Sequence, residues 1–436
     1  MMFSALLISI TMLSQVFLDA SKPPTSESIQ VNVITNNAPD GEVPVFSLSR
    51  NLMLEMLEFS KQHKPRLPLP EPTSADLEKS KSNSLGLVNN GLMRRYYLPD
   101  EWSGAGFPRG SVQNATVSYR IKTELFWIIS RINQCAYCLG HQESKLASEG
   151  LSESEIASLD GDWSDATPAI RAARQLAVWK TLTPEKPVPD EIWSSLATEF
   201  NRIQQSEILL AIANYNAMNR WTGPLNIPQE KHRVFRSTLS SDRQNKPSQL
   251  KQDDRTSWNR RILPTFSDWL KTVNQDGDNR RFVFEPERIE TQQSVHNRLL
   301  NTQGLSGETR IRSWKKALLI VPPTDDFPLP VELRGKILWV CARLDNAPHV
   351  ARDARHLLKK LGVSDVQLEQ LEDLSKSQNL DEPTRQALKL AALITTNPAW
   401  VTQQDIEDVR QNWGNRATAQ IIELACIAAA FDRLCP

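Results

Sequence analysis

Cysteine is scarce in this chain, net charge is absent, and beyond the first 18 residues no apolar run is long enough to span a bilayer. Five cysteines in 436 residues cannot build the disulfide lattice that staples small secreted domains. The 51 Lys and Arg residues are balanced by 51 Asp and Glu residues, with no long block of one sign. A nucleic-acid partner is therefore not expected, because phosphate binding calls for clustered basic excess. Strand signals are equally few. No stretch alternates branched residues with period two, whereas Ile128, Ile129 and Ile132, and again Ile208, Leu209 and Ile212, recur at helical spacing. The fold expected is all-α.

The N-terminal run Met1–Leu18 is apolar and uncharged, but no basic residue precedes it and Leu18-Asp19-Ala20 is a poor cleavage site. It reads as an export signal, a short anchor or a buried helix, which leaves a cytoplasmic or an exported protein open. Residues 21–116 form a leader: a linker rich in Ser, Pro and Asn, a helix over Leu48–His63, and further stretches rich in Pro, Ser and Gly.

An internal repeat organises the rest. A shift of 212 positions aligns Leu125-Phe-Trp-Ile-Ile-Ser-Arg131 with Ile337-Leu-Trp-Val-Cys-Ala-Arg343, and pairs Leu146 with Leu358, Gly150 with Gly362, and Ser152 with Ser364. With small gaps it continues to the apolar helices Ile208–Arg220 and Ile421–Arg433. Gly150 and Gly362 suit left-handed positions after a helix, and Ser152 and Ser364 suit the next N-caps. Two helical domains are expected, at 117–228 and 326–436. Residues 229–325 between them read as a polar connector, with a leading helix signalled by Leu263-Pro-Thr-Phe-Ser267, which echoes Val43-Pro-Val-Phe-Ser47.

Chemistry concentrates in Cys135-Ala-Tyr-Cys138-Leu-Gly-His141. Two thiols three apart at a helix start share a face and lie close enough to form a disulfide, and the helix dipole there favours a thiolate, first of all at Cys135. His141 lies one turn beyond Cys138 on the same face, a plausible base for a thiol nucleophile. Glu124, on the preceding helix, could orient that imidazole if the two helices pack antiparallel. Zinc ligation and two inert buried thiols remain alternatives; c-type haem attachment needs His directly after the second Cys, where Leu139 stands. Cys341, Cys426 and Cys435 fall in the second copy. There Ala347, Val350 and Asp353 replace Cys135, Cys138 and His141.

The motif, entered from an apolar helix ending Ser-Arg-Ile-Asn, resembles the core of the alkylhydroperoxidase D-like and carboxymuconolactone decarboxylase family, in its cysteine-bearing, peroxidase-related branch. The resemblance covers Tyr119–Pro224 in helical pattern. It implies two tandem all-helical domains of that type, the second degenerate, and either homo-oligomers or intramolecular pairing of the copies. It also implies that Cys138 attacks peroxide and Cys135 resolves the product as a disulfide. The family places its His four residues after the second Cys, where this chain has Gln142, and its Glu twelve before the first, where this chain has Thr123. His141 and Glu124 are each displaced by one position. The function implied is a thiol-dependent peroxidase or disulfide oxidoreductase needing no cofactor and no metal, with a peroxide or disulfide substrate and a separate thiol reductant. A cofactor-free lyase acting on a cyclic acid and a non-catalytic scaffold are the alternatives.

Overall fold

The computed structural model describes residues 50–81, 87–99, 116–161, 163–184, 186–230, 263–275, 323–374, 377 and 380–434. The N-terminal apolar run, most of the connector and Cys435 lie outside these residues. The protein is all-α. Among the described residues the only β pairing is an isolated bridge between Thr324 and Phe327. Three helices belong to the leader: α1 (Arg50–Ser60), α2 (Ser74–Lys81) and α3 (Asn89–Tyr97). The last two arise in stretches that read as linker. Their stability comes from packing, since helices of this length are marginal alone.

The repeat is visible helix by helix. First come α4 (Tyr119–Ile132), α5 (Ala136–Ser148), α6 (Glu153–Ser158), α7 (Pro168–Leu182), α8 (Asp190–Leu196) and α9 (Arg202–Thr222). After α10 (Phe266–Gln275) follow α11 (Val331–Leu344), α12 (Pro348–Lys360), α13 (Asp365–Gln370), α14 (Glu382–Thr396) and α15 (Gln403–Arg433). Gly414, at φ 75° and ψ 171°, breaks α15 into two parts that answer to α8 and α9.

The same local chemistry closes and opens these helices in both copies. Gly150 at φ 89° and Gly362 at φ 88° take the left-handed conformation that only glycine adopts without strain. Ser152 and Ser364 then cap α6 and α13. Each accepts the backbone N–H three residues on, and Glu155 or Gln367 reaches back to complete a capping box. The turn into α5 and into α12 is also shared: Gln134 and Asn346 both sit at φ 51°.

α9 packs along the second half of α15, and these two apolar helices join the copies through one continuous core. Leu210, Ala213, Ala217 and Trp221 from α9 share it with Ile421, Leu424, Ala425 and Ala428 from α15. Small residues there let the backbones approach, while each large buried side chain contributes about 1.5–3 kcal/mol. Buried charges tie the helices within the second copy and across to it. Arg433 donates to Asp345 at 2.8 Å with both side chains fully buried, and Arg220 donates to the Thr395 carbonyl at 3.2 Å. Each copy also carries a leading helix, α1 against α5 and α10 against α12.

Candidate functional site

Cys135 occupies the N-cap of α5, in extended backbone geometry, and its sulfur accepts the Cys138 N–H at 3.4 Å. The chain leaves α4 through Asn133 and left-handed Gln134, and the thiol supplies an acceptor where it re-enters a helix. In the second copy Ala347 stands at the same N-cap with no side-chain acceptor. The two thiols are free, and Cys135 is 1% and Cys138 3% exposed.

One hydroxyl joins the pair. Thr222 Oγ1, at the C-terminal end of α9, lies 3.0 Å from Cys135 Sγ and 3.0 Å from Cys138 Sγ, and it donates to the Met218 carbonyl at 3.0 Å. The two sulfurs differ in acidity. Burial raises the Cys135 thiol, but hydrogen bonds from Cys138, from Thr222 and from the backbone at the helix start outweigh it, and the net direction is downward. Burial pushes Cys138 well up and its neighbour Cys135 adds to that, outweighing the hydrogen bonds from Thr222 and Asn219 that pull it down. Of the two sulfurs, Cys135 is therefore the one that ionises more readily.

His141 does not meet either sulfur. Its Nδ1 lies 2.9 Å from the Tyr137 carbonyl and its Nε2 lies 3.0 Å from Glu230 Oε2, so both nitrogens face oxygen atoms. Glu230 also accepts from the Tyr137 hydroxyl at 2.6 Å and from the Asn89 N–H at 2.7 Å. Burial raises the Glu230 carboxyl, yet His141, Tyr137 and Asn89 together hold it below its ordinary value. Burial and the facing carboxylate keep the Tyr137 phenol protonated.

Glu124 is not part of this cluster. It accepts from Arg120 Nε at 3.0 Å and from Arg174 at 2.8 Å, so two guanidinium groups hold it on the side of α4 that faces α7. The acid that meets His141 is Glu230; Glu143, on α5 itself, is fully buried and takes the Trp127 indole N–H at 2.6 Å and both terminal nitrogens of Arg50 at 3.2 and 3.3 Å. That contact locks α1 onto α5.

A strap and a helix close the site. The strap runs from Gly223 to Glu230. Gln229 donates to the carbonyls of Ala136 and Tyr137 at 2.8 and 2.7 Å, and Gln229 N–H donates to the Ser60 carbonyl. The approach requires Gly140, because a Cβ there would come within 2.4 Å of Gln229 Nε2. Helix α3 lies against Tyr137: the Asn90 N–H donates to the Tyr137 hydroxyl at 3.2 Å, and Asn90 Oδ1 accepts the Trp221 indole N–H at 2.8 Å. Arg94 of α3 reaches into the second copy, to Glu423.

Thr222, Gln229, Glu230 and Asn90 have no signal in the sequence. Gln229 and Glu230 sit in a stretch that reads as polar connector, yet are only 6% and 9% exposed. Among the described residues no group of three or more His, Cys, Asp or Glu side chains is arranged to hold a metal ion, and no helix is long and apolar enough to cross a membrane.

No family model matches this chain. It is similar to Uncharacterized protein YdfG of Bacillus subtilis (strain 168), 30% identical over 95 residues. The alignment takes in 21% of this chain and 64% of that protein, so the chain spans just under two thirds of the length of the relative it matches.

Proposed function

We propose that the Cys135–Cys138 pair is a two-electron redox centre that reduces a peroxide, or a disulfide, at the expense of its own two thiols, within two tandem domains of the alkylhydroperoxidase D-like type. The observation that carries this reading is the contact of both sulfurs with the single hydroxyl of Thr222 at a helix N-terminus. That arrangement does three things: it holds the sulfurs together, gives one a preformed set of hydrogen-bond donors, and buries both away from bulk water.

The chemistry balances on the two thiols alone. One thiolate attacks a peroxide oxygen; the S–O bond forms, the O–O bond breaks, and the departing alkoxide takes a proton and leaves as alcohol. The second thiol attacks the resulting sulfenic acid; the S–S bond forms, the S–O bond breaks, and hydroxide leaves with the thiol proton as water. The centre ends as a disulfide. A dithiol reductant then returns it to the starting state by thiol–disulfide exchange. His141 and Glu230 hold α5 against the strap and act as positioning residues, since neither ring nitrogen meets a sulfur.

The second copy carries no thiol at the matching positions. Ala347 and Val350 are buried hydrophobic residues there, at 3% and 1% exposure. Its role in this reading is to complete the helix-pair core that a homo-oligomer would otherwise provide. Intact-mass measurement of the full chain before and after one equivalent of hydrogen peroxide tests the proposal. The expected result is loss of two hydrogens and of two titratable thiols, both recovered with a dithiol. Persistence of both thiols after peroxide and after a small disulfide would overturn it.

A further inference from the structure

We infer that Thr222 is the proton bridge of the thiol pair, and that Cys135 is the attacking sulfur and Cys138 the resolving one. This deepens the redox reading above and rests on it. The resemblance to the peroxidase family implies the opposite order, with Cys138 attacking.

The argument starts from counting protons at one oxygen. Thr222 Oγ1 has one hydrogen and two lone pairs, and three partners at 3.0 Å: Cys135 Sγ, Cys138 Sγ and the Met218 carbonyl. With both thiols protonated, each S–H donates to the oxygen and the hydroxyl donates to Met218, so every site is used. When one thiol ionises, rotation about the Cβ–Oγ bond turns the O–H toward that sulfur, while the other S–H keeps donating to the same oxygen. The Met218 carbonyl gives up this donor without leaving a charge exposed. Thr222 thus serves the dithiol and the monothiolate equally, and no other side chain has to move.

Which sulfur takes the charge follows from the remaining contacts. Cys135 is the N-cap, and its sulfur already accepts the Cys138 N–H. Cys138 lies inside the first turn, with the Asn219 side chain as its further partner but no backbone N–H on its sulfur. His141, the residue expected to activate it, is held instead by Tyr137 and Glu230. With Cys135 ionised, Thr222 and the backbone both donate to it, and the Cys138 proton stays on the bridge. The later step uses the same path. As Cys138 attacks the Cys135 sulfenic acid, its proton passes through Thr222 Oγ1 to the departing hydroxide.

The test is the pH dependence of alkylation by iodoacetamide on the reduced full chain, with peptide mapping to score Cys135 and Cys138 separately. In the unmodified protein Cys135 is expected to react first, with a midpoint below the ~8.5 of a free thiol. Thr222→Val, which keeps the shape and removes the hydroxyl, should raise that midpoint by about one unit, and its rate at neutral pH should fall about tenfold. Thr222→Ser should restore both. Loss of packing alone would not be rescued by Ser and would not move a midpoint. Cys138 reacting first, or an unchanged Cys135 midpoint in a folded Thr222→Val, would overturn the inference. If Thr222→Val does not fold, the order of reaction in the unmodified protein and the profile of Thr222→Ser decide. Absence of peroxide reduction together with Thr222-controlled alkylation would remove the redox reading and leave the bridge standing.

Discussion

Arg94 of α3 and Glu423 of α15 close a two-point ion pair inside the protein, NH1 to Oε2 at 3.0 Å and NH2 to Oε1 at 2.7 Å, across 329 positions of chain. Arg94 also stacks over the Trp221 ring, 5.2 Å from its centre. The helix that lies against Tyr137 is thus tied to the copy that lacks the Cys135–Cys138 pair.

Breaking that tie from one side should be costly, because it strands a buried charge. Arg94→Leu is expected to destabilise the protein by about 3–5 kcal/mol, while Arg94→Leu with Glu423→Leu should recover most of the loss. Urea denaturation of the two singles and the double measures the coupling. Equal, additive losses in the double would show that the pair does not hold the helix.

Closure of the site predicts that thiol access is controlled by the strap. Gly140→Ala puts a methyl where Gln229 Nε2 now lies, and Gln229 is the flexible partner that must give way. Both strap hydrogen bonds to Ala136 and Tyr137 then weaken, at about 1 kcal/mol each. Reaction of the thiols with a bulky aromatic disulfide should quicken several-fold in Gly140→Ala and in Gln229→Ala, with helix content unchanged by circular dichroism. An unaltered rate would mean that reagents enter by another route.

Glu230 gives the closure a pH dependence whose sign is determined. Its folded carboxyl is held below the ordinary glutamate value of 4.5. A depressed carboxyl contributes stability that is fully present above the unfolded value and is lost as pH falls through the folded one. The stability gap between the protein and Glu230→Gln should therefore be constant at neutral pH and should shrink only below pH 4.5. Thermal melts of both forms across pH 3–7 provide the check; a gap that shrinks near neutrality would assign the effect to another group.

The buried pair Arg433–Asp345 is complete in the second copy alone: the first copy keeps the arginine, as Arg220, but not the acid. Asn133 stands where Asp345 does, and it donates to Asn216 and Asn219 at 3.3 and 3.1 Å. Asp345→Asn should cost about 3–5 kcal/mol, since Arg433 keeps its charge in full burial. Asn133→Asp should also destabilise, because the network around it, with Arg220 donating to Asn216 at 2.9 Å, is built for a neutral amide. Chemical denaturation of the two exchanges reads each effect separately.

The helical class, the repeat and its punctuation are local matters, and the sequence by itself determined them. Gly150 with Ser152, and Gly362 with Ser364, announce a helix end and the next start because left-handed backbone and N-cap acceptors are demands of single residues. The same holds for Cys135 at its N-cap and for the loss of that acceptor at Ala347. Local pattern could not show which acid serves the site. Glu124 and Glu230 are indistinguishable as letters, and only packing pairs the first with Arg120 and Arg174 and brings the second, from a stretch that reads as connector, onto His141. Nor could it show that Thr222, 84 positions after Cys138, ends its helix against both sulfurs. Such contacts depend on how α9 and the strap fold back over α5, and that course is decided by apolar burial summed over the whole core, which no short window of sequence contains.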